Sequence, residues 1–248
     1  MEKLTKSQEK KILKEKLSEA DDLILKFLLA YAVTGLILAF FYDTWLIAIV
    51  VGAVNVLGFV GMRKVAPDTD FHRYFASLAF GIFMAQFIYQ MHGLFAMHFF
   101  AFIGSAIMIA YQQWRMQIPI TIFVVIHHGL LAWLQYSGVS DVYFTQLSYM
   151  SLQTFIIHVI LAASVFSISG LWAYRFQNFA MNDALKSLQL ERANKELSRY
   201  NHSLEETKNQ LALANSGLEE EKQKLVNLTQ KQAEINRKLV SIGERNKF

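Results

Sequence analysis

Histidine is the residue type in this chain whose placement points to chemistry. There are seven histidines and no cysteine. Six of the seven fall in or beside strongly apolar stretches, and five of these carry the argument: His92, His98, His127, His128 and His158. A neutral imidazole offers one nitrogen lone pair and suits zinc, copper, iron and nickel. The lack of cysteine excludes disulfides, thiolate metal sites, iron–sulfur clusters and a cysteine nucleophile. Met91-His92 and Met97-His98 repeat one dipeptide, with Met84 and Met150 nearby, and thioether sulfur selects Cu(I). The expected metal ligands are therefore His98, His127, His128 and His158, with His92 and Met97 beside them, and copper is the favoured ion. Haem b held by two histidines from different helices is the rival. The connections on the histidine side lack Lys and Arg to pair with its propionates. A bare imidazole pocket for an organic ligand is a third possibility. Gln86, Gln90 and Thr154 are the polar residues expected to complete a cofactor site. The alternative for each is interhelical hydrogen bonding, a common glue of membrane bundles.

The elements that must position these side chains follow from the distribution of charge. Of 44 Asp, Glu, Lys and Arg residues, nine lie between Phe27 and Arg175, and the other 35 crowd into the remaining 99 residues. A block so apolar is not a soluble core. A membrane span needs about 20 apolar residues, and six segments qualify: 23–42, 45–62, 74–92, 94–113, 118–136 and 149–174. Backbone polar groups in lipid must be satisfied internally, so all six are expected to be helices. At about 1.5 Å per residue, His98, His127, His128 and His158 come out at similar depths in one half of the membrane. Intramembrane polar residues usually face the bundle interior and are functional candidates.

Lys and Arg set the orientation. The N-terminal arm carries Lys3, Lys6, Lys10, Lys11, Lys14 and Lys16; the second connection carries Arg63, Lys64 and Arg73, and the fourth Arg115. The first, third and fifth connections hold only Asp43 and Asp141. By the positive-inside rule both termini are expected in the cytoplasm of a bacterium, with the bundle in its inner membrane. The net charge of +4 thus sets topology and advertises no nucleic-acid partner.

Beyond Arg175, Leu190, Leu197, Leu204, Leu211, Leu218 and Leu225 recur every seven residues. That period predicts a left-handed parallel coiled coil and hence a homodimer. Asn215, Ser216 and Gly217 weaken its middle. The expected fold is all-α, a six-transmembrane-helix bundle followed by a long cytoplasmic parallel coiled coil. Its parts are a charged arm (1–22), a sensor bundle (23–175) and a stalk (176–248).

The stretches M-H-F-F at 97–100, Y-Q-Q-W-R at 111–115 and F-V-V-I-H-H-G at 123–129 resemble the histidine-rich multi-pass input domain of some bacterial chemoreceptors and other signalling proteins. His98, Tyr111, Trp114, Arg115, His127 and His128 match its pattern. Ala96, Phe100 and Gln113 stand where that pattern has Glu, a second His and Asp. The resemblance covers about 35 residues and implies a sensory role. The ending A-E-I-N-R-K-L-V-S-I-G-E-R-N-K-F is similar to the linker before the phospho-accepting helix of sensor histidine kinases. An input module without its output domain is expected, partnered by a cytoplasmic output domain or signalling protein. No catalytic motif is present: there is no phosphate-binding glycine loop, H-E-x-x-H or G-x-S-x-G. Alternatives are a receptor for a small lipophilic signal and a haem-based membrane electron-transfer protein. A channel or transporter is disfavoured, since the only charge inside an expected span is Lys26.

Overall fold

The computed structural model describes residues 6–147 and 151–245. Lys3, Met150 and the final Asn246, Lys247 and Phe248 lie outside them. The described residues form helices and no strands, in the order α1 (Lys6–Tyr42), α2 (Trp45–Val65), α3 (Phe71–Gln90), α4 (Phe99–Met108), α5 (Ile118–Tyr136) and α6 (Leu152–Arg245). They separate into two compact units, one through Leu185 and one from Lys186 onward.

In the first unit, α1, α2, α5 and α6 each contain a stretch long and apolar enough to cross a membrane. The sequence predicts six such helices, and α3 and α4 depart from the expectation for different reasons. α3 is the central helix and packs against α1, α2, α4 and α5. It is buried on nearly every side and includes His72, Arg73, Ser77, Gln86 and Gln90 among its buried residues. A helix jacketed by other helices does not face lipid, so its polar side chains find partners and its average hydropathy falls. The expected helix over 94–113 is instead three pieces: a 3-10 turn at Phe95–His98, α4, and a second 3-10 turn at Ile109–Tyr111. 3-10 turns rise about 2.0 Å per residue against 1.5 Å in an α-helix, so Phe95–Tyr111 still reaches roughly 29 Å, close to the hydrocarbon thickness.

The charged arm is continuous with α1 and joins the core. Leu17, Ala20, Asp21, Ile24, Leu28 and Tyr31 are buried, and their three- and four-residue spacing makes one stripe along the helix. Tyr31 is the hub of an aromatic cluster, with ring centroids 5.0 Å from Phe80, 5.7 Å from Phe83 and 5.5 Å from Phe100, and its hydroxyl donates to the Phe100 carbonyl at 3.0 Å. Gly35 continues the stripe. A Cβ there would collide with the Gln86 amide. Pro119 lies in the first turn of α5, where its missing N–H costs nothing. The next N–H, that of Ile120, is satisfied by Ser77 Oγ at 3.1 Å.

At the basic end of this unit, three elements meet at a buried carboxylate. Arg73 Nε and Nη2 donate to Asp21 Oδ1 and Oδ2 at 3.1 and 2.9 Å, and His72 Nε2 lies 3.1 Å from Oδ2. Asp70 takes the remaining arm of Arg73. Burial works against the guanidinium charge, but the hydrogen bonds and fields of Asp21 and Asp70 outweigh it and raise the Arg73 pKa. Tyr111 is buried with its hydroxyl turned toward Asp21, without a hydrogen bond of regular geometry.

In the second unit α6 stays helical through Asn215, Ser216 and Gly217. Lys224–Glu220 and Lys238–Glu234 pair at 2.8 and 2.9 Å across one turn, each worth a few tenths of a kcal/mol, about 0.2–0.5. The six seven-spaced leucines are all more than half exposed in the single chain.

Candidate functional site

Four imidazoles come together at the end of the first unit opposite the arginines. His98 ends the 3-10 turn before α4, His127 and His128 lie on α5, and His158 lies on α6. Ring centroids are 5.1 Å apart for His98–His128, 5.6 Å for His128–His158, 6.1 Å for His98–His158 and 5.5 Å for His127–His128. His98, His127 and His128 are buried.

Local backbone geometry fixes two of the rings. Within its 3-10 turn, His98 Nδ1 lies 3.1 Å from the Phe95 carbonyl three residues back. On α5, His128 Nδ1 lies 2.8 Å from the Val124 carbonyl four residues back. A carbonyl only accepts, so each Nδ1 carries the proton and each Nε2 keeps its lone pair. Metal-ligating imidazoles are commonly oriented in this way. His127 is different: among the described residues, neither of its ring nitrogens has a hydrogen-bond partner. A buried polar atom left unpaired costs about 1–3 kcal/mol, so the site holds donor capacity that nothing else in the protein uses.

Imidazoles sharing one tetrahedral or trigonal ion, with metal–nitrogen distances of about 2.0–2.1 Å, have ring centroids roughly 5–5.5 Å apart. His98–His128 at 5.1 Å and His128–His158 at 5.6 Å are near that spacing, and His98–His158 at 6.1 Å is wider. Among the described residues, however, no group of three or more His, Asp or Glu side chains is arranged to hold a metal ion as it stands. The fit is therefore in donor type and spacing, and the ring orientations do not converge.

The other residues singled out by sequence take different places. His92 is set apart, stacked between Tyr42 at 3.9 Å and Tyr143 at 4.3 Å, with a positive φ of 48°. Met97 packs against the aromatic core and Met84 is fully buried within it. Gln86 Nε2 donates to Gln90 Oε1, and Gln90 Nε2 donates to the Gly35 carbonyl and Thr44 Oγ1, all at 2.9 Å. Those glutamines tie α3 to α1 and the α1–α2 turn. Thr154 shares a 2.8 Å hydrogen bond with Ser151, whose Oγ also accepts from Thr154 N–H, so this pair caps α6.

One functional neighbour had no signal in the sequence. Phe144, in the loop between α5 and α6, packs its ring 5.5 Å from His98 and 5.3 Å from His128. Its loop is fastened to the segment after α3, where Gln146 N–H donates to the Gly93 carbonyl at 3.2 Å. Gly93 has a φ of 79°, and a Cβ on it would lie 2.8 Å from the Thr145 backbone. Gly93→Ala is therefore expected to cost at least the roughly 1–2 kcal/mol of a left-handed alanine, read as a lower unfolding temperature in detergent.

No protein-family model matches the chain, and no curated protein or solved structure is significantly similar to it.

Proposed function

We propose that the chain is the input module of a membrane signalling protein and that its intramembrane histidines bind a transition-metal ion. The carrying observation is the trio His98, His128 and His158 with ring centroids 5.1–6.1 Å apart and the Nε2 lone pairs of the first two fixed by backbone carbonyls. Imidazole alone suits copper, zinc, iron and nickel. Thioether ligands would single out copper, but Met84 lies in the hydrophobic core and Met97 packs against it, so nitrogen is the donor this reading rests on. By the positive-inside rule, the basic connections support a reading with both termini in the cytoplasm and the histidine cluster in the outer half of a bacterial inner membrane.

Binding alone transmits nothing. The ion must prefer one of two bundle arrangements, because equal affinity for both shifts no population. Drawing the rings to one point is such a preference: His98 precedes α4, His128 is on α5 and His158 is on α6, the helix that continues into the heptad stalk. In this reading the leucine seam is covered by a second copy of the chain. Substituting Leu204 by Cys, in a chain with no other cysteine, is expected to yield an oxidised dimer; a monomer at every protein concentration would exclude the parallel seam.

A second reading has its own observation. A cleft of about 320 Å³ between α5 and α6 is lined by His128, His158, Thr121, Gly129 and Phe166 and suits a small lipophilic signal. Elemental analysis with an optical spectrum of the detergent-purified protein separates the cases. Near-stoichiometric metal without a Soret band supports the ion, and a Soret band indicates haem. Neither metal nor chromophore after metal loading leaves the lipophilic ligand.

A further inference from the structure

We infer that Phe144 is the gate of the imidazole cluster on its aqueous side and that Gln135 is the latch that holds the gate shut. The inference concerns access to the site and rests on the reading of the cluster as a ligand site within a membrane.

The loop after α5 dips inward at one residue. Phe144 is 2% exposed, although it belongs to a polar connection, and its ring touches the faces or edges of three imidazoles: His98, His128 and His127, at 5.5, 5.3 and 6.4 Å. No secondary structure holds it there. The backbone on both sides of it is gripped by one side chain. Gln135 Oε1 accepts from the N–H groups of Phe144 and Thr145 at 2.7 and 3.0 Å, and Gln135 Nε2 donates to the Thr145 carbonyl at 2.8 Å. Gln135 stands on α5 two turns beyond His128, so the latch and a proposed ligand share one rigid helix. The Gln146–Gly93 hydrogen bond and the stacking of Tyr143 on His92 fasten the loop at a second point.

Among the described residues, a cleft between α5 and α6 also opens toward the cluster. Apart from His128, His158 and Thr121, its walls are glycine, alanine, valine and phenylalanine. In a bilayer that cleft faces hydrocarbon, which a hydrated ion does not cross. From the aqueous side, the ring that covers His98 and His128 is Phe144, so a hydrated ion reaches their Nε2 atoms there when Phe144 swings out. Closure also excludes water, which strengthens every polar interaction inside. The gate thus sets the rate of binding, and the imidazoles set its strength.

Imidazole acylation tests this without any metal. The full chain in lipid nanodiscs is treated with diethyl pyrocarbonate, and acylation of the peptides carrying His98 and His128 is followed by mass spectrometry. His202, exposed on α6, is the internal reference. In the wild type both histidines are expected to react much more slowly than His202. Phe144→Ala is expected to speed their reaction by roughly tenfold or more, as loss of a local closing interaction does. Gln135→Ala is expected to fall between, and Phe144→Leu to stay near the wild type. His98, which does not line the α5–α6 cleft open to hydrocarbon, decides: the inference is overturned if wild-type His98 reacts as fast as His202, or if neither Phe144→Ala nor Gln135→Ala changes its reaction. Should Phe144→Ala not fold, Gln135→Ala against Phe144→Leu decides. Protected histidines in a protein that binds no metal would sink the metal reading and leave the gate standing; freely reactive histidines in a protein that does bind metal would do the reverse.

Discussion

Replacing Asp21 with alanine is expected to destabilise the bundle by about 3–5 kcal/mol, the typical cost of stranding one partner of a buried ion pair. The carboxylate receives two hydrogen bonds from Arg73 and lies beside His72 Nε2. Asp21 is 2% exposed and His72 is fully buried, so water does not replace the lost partner. Asp70 would remain as the sole carboxylate on the guanidinium. Because Asp21 is on α1 while His72 and Arg73 open α3, the lesion also parts two helices at the basic end. Asp22→Ala is the matched control. Asp22 pairs with Arg63 at 2.7 Å, but its side chain is 66% exposed, and such pairs are worth about 0–1 kcal/mol. Thermal unfolding in one detergent should place the two variants far apart. Equal unfolding temperatures would mean that the buried pair does not hold the helices together.

His128→Ala is expected to weaken metal binding by more than the roughly 10–100-fold that follows loss of an outer-shell partner. It removes a donor whose lone pair is already oriented and which neighbours His98, His127 and His158. His98→Ala should act similarly for the same reason. His92→Ala and His72→Ala should leave affinity unchanged, since His92 is stacked between tyrosines and His72 is bound to Asp21 at the basic end. Affinity should also fall as pH is lowered, because protons compete for the same nitrogen lone pairs. Isothermal titration of each variant separates ligands from bystanders. A uniform small loss across all four would point to a general effect on folding and against a defined site.

Much of this architecture was legible in the sequence because helices long and apolar enough to cross a membrane leave strong marks. Runs of apolar residues locate α2 and α5 nearly to their ends and the C-terminal end of α1, whose helix begins 17 residues before the expected span. The similar depths of His98, His127, His128 and His158 follow from helix rise alone, and the structure does bring those four rings together. Other features were hidden for physical reasons. A break into 3-10 turns around α4 changes the hydrogen-bond pattern without changing composition. Asp21 reads as one more charge in a wet arm until the helix phase places it on the buried stripe with Leu17 and Ile24. Gln86 and Gln90 share a helical face, as a cofactor site would require, but so do residues that tie α3 to α1, and only contacts separate the two. Phe144 was illegible, because a phenylalanine in an irregular loop has no periodicity to show where it points. The nearest sequence clue was Gln135, seven residues beyond His128, whose amide turns to the loop instead of to the imidazoles.

The central claim is that imidazole nitrogen holds a metal ion inside this bundle. X-ray absorption at the edge of the metal retained by the purified protein tests it most directly, since bound imidazoles give a recognisable outer-shell scattering pattern. The expected result is at least two imidazole ligands at about 2.0–2.1 Å, lost in the His98→Ala/His128→Ala double variant. A spectrum of oxygen ligands without imidazole scattering, unchanged in that variant, would contradict the account.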